Sequence, residues 1–340
     1  MGSSDMSSKG AGHKAELRQA LRVGVIGAGV MGSNHARVLA GLPDVHLVGV
    51  VDPLPAHRSR VTELANCPTF ESLDQLAAEG VDAVTIAAPT HLHHELALAC
   101  IARKVHLLVE KPIASTVEEG REIVAAAHRA GVTLMIGHVE RFNPAVAAIK
   151  KAIAGEDLLS IAITRVGPFP PRMSNVGVVI DLAVHDIDLI RWFTESDIIE
   201  VQPQLSSAVA EREDIALLQF RTASGVLAHI NTNWLTPFKA RNVTVATRGK
   251  YIMGDLLTRQ VTECFGFKPD GSYSMRHLPV GHDEPLRAEL IAFLHAVRSG
   301  TSPAVTGDEG VASLAIATQC LETSSHRPAE AATKRRAAAG

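Results

Sequence analysis

Between Leu21 and Gly137 the chain repeats one pattern: a short continuous apolar run, a turn, then apolar residues at helical spacing. The runs cover residues 21–26, 46–51, 81–88, 105–109 and 132–136. Uninterrupted apolar runs of this length predict strands buried on both faces, as in a parallel sheet covered by helices. The intervening segments, from Val30, over 53–65, 72–79 and 91–104 and from Thr116, predict helices. Glu118 and Glu119 stand in the first turn of the last of these and Gly131 at its end, where the helix dipole and the backbone favour them. Strands alternating with helices predict an α/β, doubly wound Rossmann dinucleotide-binding domain over residues 21–140.

Beyond Asn143 the rhythm changes. A helix over 144–153, an alternating strand over 158–166 and a Pro-rich loop precede a strongly apolar helix over 178–193. Strand-like runs follow at 198–205, 215–221, 226–234, 243–247, 251–256 and 260–265, with Ser224-Gly225 as a hairpin signal. Runs of strands without helices between them predict a large, mostly antiparallel sheet, hence an α+β second domain over 141–325 for substrate and oligomer contacts. Two helices, over 284–298 and 308–322, close it. In 226–234 the period of two puts Val226, Ala228, Ile230, Thr232 and Trp234 on one face and Leu227, His229, Asn231 and Asn233 on the other. Residues 1–20 read as a disordered leader, native or added, and 326–340 as a disordered tail, since neither carries apolar periodicity.

Composition adds mainly exclusions. The 340 residues are 46% hydrophobic and 20% charged, enough for two cores. A net charge of −3 gives no electrostatic case for nucleic acid or an anionic membrane. No apolar run is long enough to span a bilayer, and the N-terminus lacks the apolar segment of a secretory signal. Cys67, Cys100, Cys264 and Cys320 have no C-x-x-C spacing, which argues against a zinc site or a disulfide framework. The expectation is a soluble protein of a reducing cytoplasm, assembled as a homo-oligomer (dimer or tetramer).

The chemistry gathers where predicted strands end. Gly27, Gly29 and Gly32 form G-x-G-x-x-G between a strand and a helix. The first glycine permits the turn, the second lets backbone approach a pyrophosphate, and the third lets helix and strand pack closely. The N–H groups from Val30 and Met31 onward then face the anion. Asp52, closing the second run, suits an adenosine ribose and favours NAD over NADP, with Arg58 as a counterweight. Later ends carry Ala88-Pro89-Thr90 with His91, His93 and His94, then Glu110-Lys111-Pro112, then residues 137–144. A lysine delivered by an apolar strand beside a nicotinamide can stabilise a developing alkoxide. On the 178–193 helix, Asp181, His185 and Asp188 fall at i, i+4 and i+7 and share a predicted face. A histidine there can take a proton, a carboxylate one turn away can orient it, and an ordinary Asp–His pair is the competing reading. A metal site would draw on Asp and His, but no H-x-x-x-H or cysteine supports one, so none is assigned.

Together these segments resemble the glucose–fructose oxidoreductase/inositol dehydrogenase/MocA family. The resemblance implies an NAD-dependent sugar or cyclitol dehydrogenase with Lys111, Asp181 and His185 as its catalytic group. It places the cofactor against Gly27, Gly29, Val30, Met31, Gly32, Asp52, Ala88, Pro89, Thr90, His93, Glu110 and Lys111. Segments 137–146, 165–172 and 177–192 look like the subgroup of UDP-N-acetylglucosamine 3-dehydrogenases, whose 3-keto product feeds 3-amino sugars of lipid A. That finer resemblance implies a nucleotide-sugar substrate held by Lys111, Arg141, Asn143, Arg165, Arg172, Asp181 and His185. Arg141, Arg165 and Arg172 can grip a diphosphate as bidentate forks, with ordinary salt bridges as the alternative. Which of Lys111 and His185 is the immediate base stays open. So do a free-sugar or myo-inositol dehydrogenase, a non-catalytic dinucleotide-binding scaffold and a metal-dependent hydrolase.

Overall fold

Residues 20–170 and 176–325 are described by the computed structural model. Arg172, the leader up to residue 19 and the tail 326–340 lie outside the described residues. Six parallel strands, β1 (Leu21–Ile26), β2 (Val45–Val51), β3 (Thr69–Phe70), β4 (Ala83–Ile86), β5 (His106–Glu110) and β6 (Leu134–Gly137), form the first sheet. Their order is β3-β2-β1-β4-β5-β6, so the direction of winding reverses between β1 and β4 and opens a crevice at their carboxyl ends. Helices α1 (Val30–Ala40), α2 (Pro55–Ala65), α3 (Leu73–Ala78), α4 (His93–Ala102) and α5 (Val117–Ala130) connect them. Thr116 and Glu119 form a reciprocal capping box at the start of α5, and Gly131 ends it in the left-handed region at φ 67°. The two-residue β3 has no periodicity to betray it. It exists because Phe70 packs under Gly49, where a Cβ would stand 2.5 Å from the ring.

The second sheet has eight strands: β7 (Leu158–Pro168), β8 (Ile198–Ser206), β9 (Ile215–Thr222), β10 (Leu227–Asn233), β11 (Leu235–Thr247), β12 (Lys250–Asp255), β13 (Gln260–Phe265) and β14 (Ser274–His277). The order is β14-β13-β12-β11-β7-β10-β9-β8, antiparallel except for the pair β7·β10. In β10 the alternation holds: Ala228, Ile230 and Thr232 are buried, while Leu227 and His229 face out. Every residue of β14 is exposed, so no apolar alternation could announce it. Helix α6 (Pro144–Ala152), a π-helical turn (Val179–Ala183) and α7 (Val184–Thr194) share the second core with the sheet's inner face. Helices α8 (Pro285–Ser299) and α9 (Gly307–Ser325) follow.

The division at residue 141 needs one correction. Leu286, Leu290, Phe293 and Leu294 of α8, with Val311 and Leu314 of α9, belong to the core of the first sheet. Only the later turns of α9, through Ala317 and Cys320, join the second core. An apolar helical stripe shows that a face is buried, not which sheet it covers. The chain therefore returns to the dinucleotide-binding layer after building the second sheet. All four cysteines are buried free thiols, and no described helix is long and apolar enough to cross a membrane.

Candidate active site

The glycine turn is built for close approach. Gly27 adopts φ 97°, and a Cβ on it would lie 2.7 Å from the backbone of Ala87 and Ala88. A Cβ on Gly32 would collide with the Gly27 carbonyl at 1.8 Å, whereas one on Gly29 would meet nothing within 4 Å. Two glycines thus allow internal packing, and the third leaves an open face at the start of α1. No side chain caps that helix, and the exposed Val30 and Met31 flank it. Its first N–H groups are therefore available to a pyrophosphate. The buried Asp52 carboxylate accepts from the Ala28 N–H at 2.8 Å and the Leu54 N–H at 2.9 Å, with His57 Nδ1 at 3.1 Å. Arg58 donates to the Asp52 and Pro53 carbonyls and to Glu71, so its guanidinium is already committed. These residues fit NAD: a cradle without side chains, a helix N-terminus and a carboxylate at the end of β2, where a ribose would lie.

Across the crevice, β5 ends in Glu110 and delivers Lys111, whose bond to Pro112 is cis. Lys111 Nζ donates to the Asp181 carbonyl at 2.7 Å and to its Oδ1 at 3.3 Å, joining the two sheets' layers at one point. Asp181 lies in the π-helical turn, and His185 in the first turn of α7. Such turns recur at functional sites because they break regular spacing. Glu213, which no sequence signal marked, fixes the turn by accepting from the Val178 and Val179 N–H groups through its carbonyl and its Oε1. Burial raises its carboxyl above the ordinary range.

The π turn also changes the predicted face. Asp188 is buried in an ion pair with Arg141, not beside Asp181. Nor does Asp181 orient His185: its carboxylate serves Lys111, and His185 Nδ1 has no hydrogen-bond partner among the described residues. Burial, then the charges of Lys111 and Arg165, hold the His185 imidazole well below its ordinary value; His138 and Arg241 push the same way. It is therefore a neutral ring at neutral pH, able to accept a proton. The buried His138 stands edge-on to it, with ring centroids 6.1 Å apart.

Three expected substrate ligands prove to be structural. Arg141 grips Asp188 through Nε and Nη2 at 2.7 and 2.6 Å and Glu309 through Nη1 at 2.7 Å. Arg165 grips Asp186 at 2.8–3.0 Å and Glu140 at 2.8 Å. With side chains only 4% and 3% exposed, neither guanidinium has a face left for a diphosphate. Asn143 caps α6 and donates to the Leu256 carbonyl and Glu140. Two expected cofactor residues also turn inward. The His93 ring is clamped between the carbonyls of Pro112 and Ala88, each at 2.9 Å, bracing two strand ends. Glu110 pairs with the buried His35 at 3.0 Å. Ala88, Pro89 and Thr90 remain on the rim after β4, partly or fully exposed. Arg241 of β11 went unmarked because its strand segment has no clear alternation. It donates Nη1 to Glu140 at 3.0 Å and keeps 35% of its side chain open.

A dinucleotide cradle with Lys111 at the end of its own sheet, facing Asp181 and His185 from helices of the second domain, has close parallels. Residues 21–138 match the oxidoreductase family model with an NAD-binding Rossmann fold, and residues 165–252 match the GFO/IDH/MocA C-terminal domain. The chain belongs to the Gfo/Idh/MocA family of oxidoreductases. It is 29% identical to a UDP-N-acetylglucosamine 3-dehydrogenase of Acidithiobacillus ferrooxidans over 88% of this chain and 96% of that one. It is 31% identical to an inositol 2-dehydrogenase of Rubrobacter xylanophilus over 88% of this chain and 90% of that one. A solved structure of the Acidithiobacillus enzyme superposes with a TM-score of 0.85 at 28% identity, covering 91% of this chain and 99% of that one. As a Gfo/Idh/MocA member the protein is an NAD-dependent oxidoreductase.

Proposed function

We propose that this enzyme oxidises the 3-hydroxyl of UDP-N-acetylglucosamine to the 3-keto sugar. The observation that carries this reading is Arg241: its charge bears on His185 and it keeps 35% of its side chain open, whereas Lys111 and Arg165 are paired with Asp181, Asp186 and Glu140. A neutral cyclitol gains nothing from an accessible guanidinium, whereas a nucleotide-sugar diphosphate does. In this reading Arg241 takes the role that the buried Arg141 and Arg165 cannot fill. The similarity to the Acidithiobacillus enzyme supports the same substrate. The similarity to inositol dehydrogenases keeps myo-inositol as the alternative to test.

Catalysis follows from the side chains in place. The Lys111 ammonium, anchored on Asp181, hydrogen-bonds the substrate hydroxyl and stabilises negative charge as it develops on oxygen. The neutral His185 ring accepts the proton directly or through Lys111. Bound NAD supplies the hydride acceptor. Asp181 and His185 are themselves half-buried, which limits water at them and so strengthens each of these interactions. The 3-keto product suits consumption by an aminotransferase making the 3-amino sugar of lipid A, a reaction sequence for the cytoplasm.

The test is NAD reduction with UDP-N-acetylglucosamine against myo-inositol and free hexoses, with an aminotransferase added to remove product. Arg241→Ala is expected to raise KM for the nucleotide sugar about tenfold or more while changing kcat far less. Turnover of inositol with none of the nucleotide sugar would overturn the assignment. An unchanged KM would remove Arg241 from it.

The oligomer is a proposal of the same standing. The outer face of the second sheet carries exposed Leu217, Leu227, Tyr251 and Met253, and the two leucines line a shallow depression of about 700 Å³ together with Glu200, Gln219, Arg221 and His229. Pairing registers align Leu227, Ser160, Ala246 and Tyr251 across four strands. Apolar side chains in this arrangement favour burial against a second copy. Light scattering is expected to report a dimer or tetramer, and Leu217→Asp with Leu227→Asp a smaller species. A wild-type monomer would refute it.

A further inference from the structure

Behind Lys111, α1, the end of β5 and α8 bring together His35, Glu110 and Glu289, whose ring nitrogen and carboxylate oxygens lie within 4.8 Å of one another. His35 and Glu289 are fully buried and Glu110 nearly so. Glu110 uses one oxygen for His35 Nε2 at 3.0 Å and the other to accept the Lys111 backbone N–H at 3.2 Å. Neither oxygen of Glu289 has a partner among the described residues. The packing leaves little room to move, since a Cβ on Gly137 would stand 3.1 Å from Glu110 Oε2.

Two carboxylates this close, out of water and beside one imidazole that is bonded to Glu110 alone, cannot both stay ionised without a large penalty. The titratable groups beside Glu289 are His35 from α1 and Glu110 at the end of β5, and Lys111 and His138, just after β6, interact in turn with Glu110. His35 and Lys111 favour the charged form of Glu110, whereas burial and the Glu110 charge raise Glu289 well above the ordinary carboxyl range. From this unpartnered, fully buried carboxyl within 4.8 Å of Glu110, we propose that Glu289 is a neutral carboxylic acid at neutral pH that donates its proton to Glu110, and that it thereby positions the Glu110–Lys111 turn. It is a positioning residue: Glu289 holds Glu110, Glu110 holds the Lys111 backbone, and the Lys111 ammonium reaches the reacting oxygen. The positioning half rests on the proposed role of Lys111; the protonation half does not.

Two substitutions separate these halves. Glu289→Gln keeps a donor of the same shape and is expected to retain turnover within about threefold, whereas Glu289→Leu removes the donor and should lower kcat about tenfold or more. A carboxyl whose folded pKa is raised stabilises fully below its unfolded pKa and progressively less as pH rises toward the folded value. The wild-type melting temperature should therefore fall relative to Glu289→Gln as pH rises above the unfolded carboxyl value of about 4.3 toward the raised folded value, by about 2 °C per pH unit. An infrared carboxylic C=O band present at neutral pH should disappear in Glu289→Gln. Parallel melting curves, a missing band, or a stoichiometric divalent metal in the wild type that Glu289→Gln loses would overturn the neutral acid. Wild-type kcat in a folded Glu289→Leu would overturn the positioning. If that variant does not fold, loss of turnover in Glu289→Gln overturns it and retention supports it.

Discussion

Lys111→Ala is expected to lower turnover of the nucleotide sugar at least about a hundredfold, a loss of about 2.7 kcal/mol of transition-state stabilisation. The ammonium is held at one place by two bonds to Asp181, and no other amine is seen to share that contact among the described residues. His185→Ala should cost a similar factor, because its neutral ring lies within the same field. Lys111→Arg then separates the two remaining schemes. It keeps the charge but cannot pass a proton at neutral pH, so recovery would make His185 the immediate base and Lys111 a fixed cation. The acid limb of kcat/KM should lie below the ordinary imidazole range, since the free enzyme's ring becomes protonated only at lower pH. Initial rates within about threefold of wild type in Lys111→Ala would remove the lysine from the chemistry.

The largest expected change in stability comes from Arg165→Met. Arg165 neutralises Asp186 and Glu140 in the interior, and removing it leaves two buried carboxylates with only the partly open Arg241 nearby. Breaking a buried pair by deleting one partner costs about 3–5 kcal/mol, because the remaining charge keeps its desolvation penalty. The urea midpoint should therefore fall sharply. The outcome also tests the reassignment of this residue. Wild-type stability with weakened nucleotide-sugar binding would return Arg165 to the role of a diphosphate ligand.

Particular residues show how far local pattern reaches. Gly27 and Gly32 were legible because each answers a demand that only glycine meets, a positive φ at one and a close backbone approach at the other, while Gly29 leaves open space at the start of α1. The helix start at Thr116, its end at Gly131 and the alternation in β10 were legible because their causes lie within a few residues. Arg141 and Arg165 were misread because an arginine in sequence carries no sign of its partner. Asp188, Glu309, Asp186 and Glu140 arrive from 47, 168, 21 and 25 residues away. His93 was misread likewise, since its two carbonyl partners come from different strand ends.

Local pattern in the chain was enough for the fold class and the cofactor, through periodicity and glycine's freedom at a turn, whereas the grouping of Lys111, Asp181 and His185 as catalytic came from the family resemblance. Tertiary structure alone decided what those residues touch. It put Asp181 on Lys111 and not on His185, because a π turn rotates the carboxylate off the expected face. It carried α8 back over the first sheet, which set Glu289 behind Glu110. Hydrogen bonds and charges act over a few ångströms in space, and separation along the chain does not encode that distance.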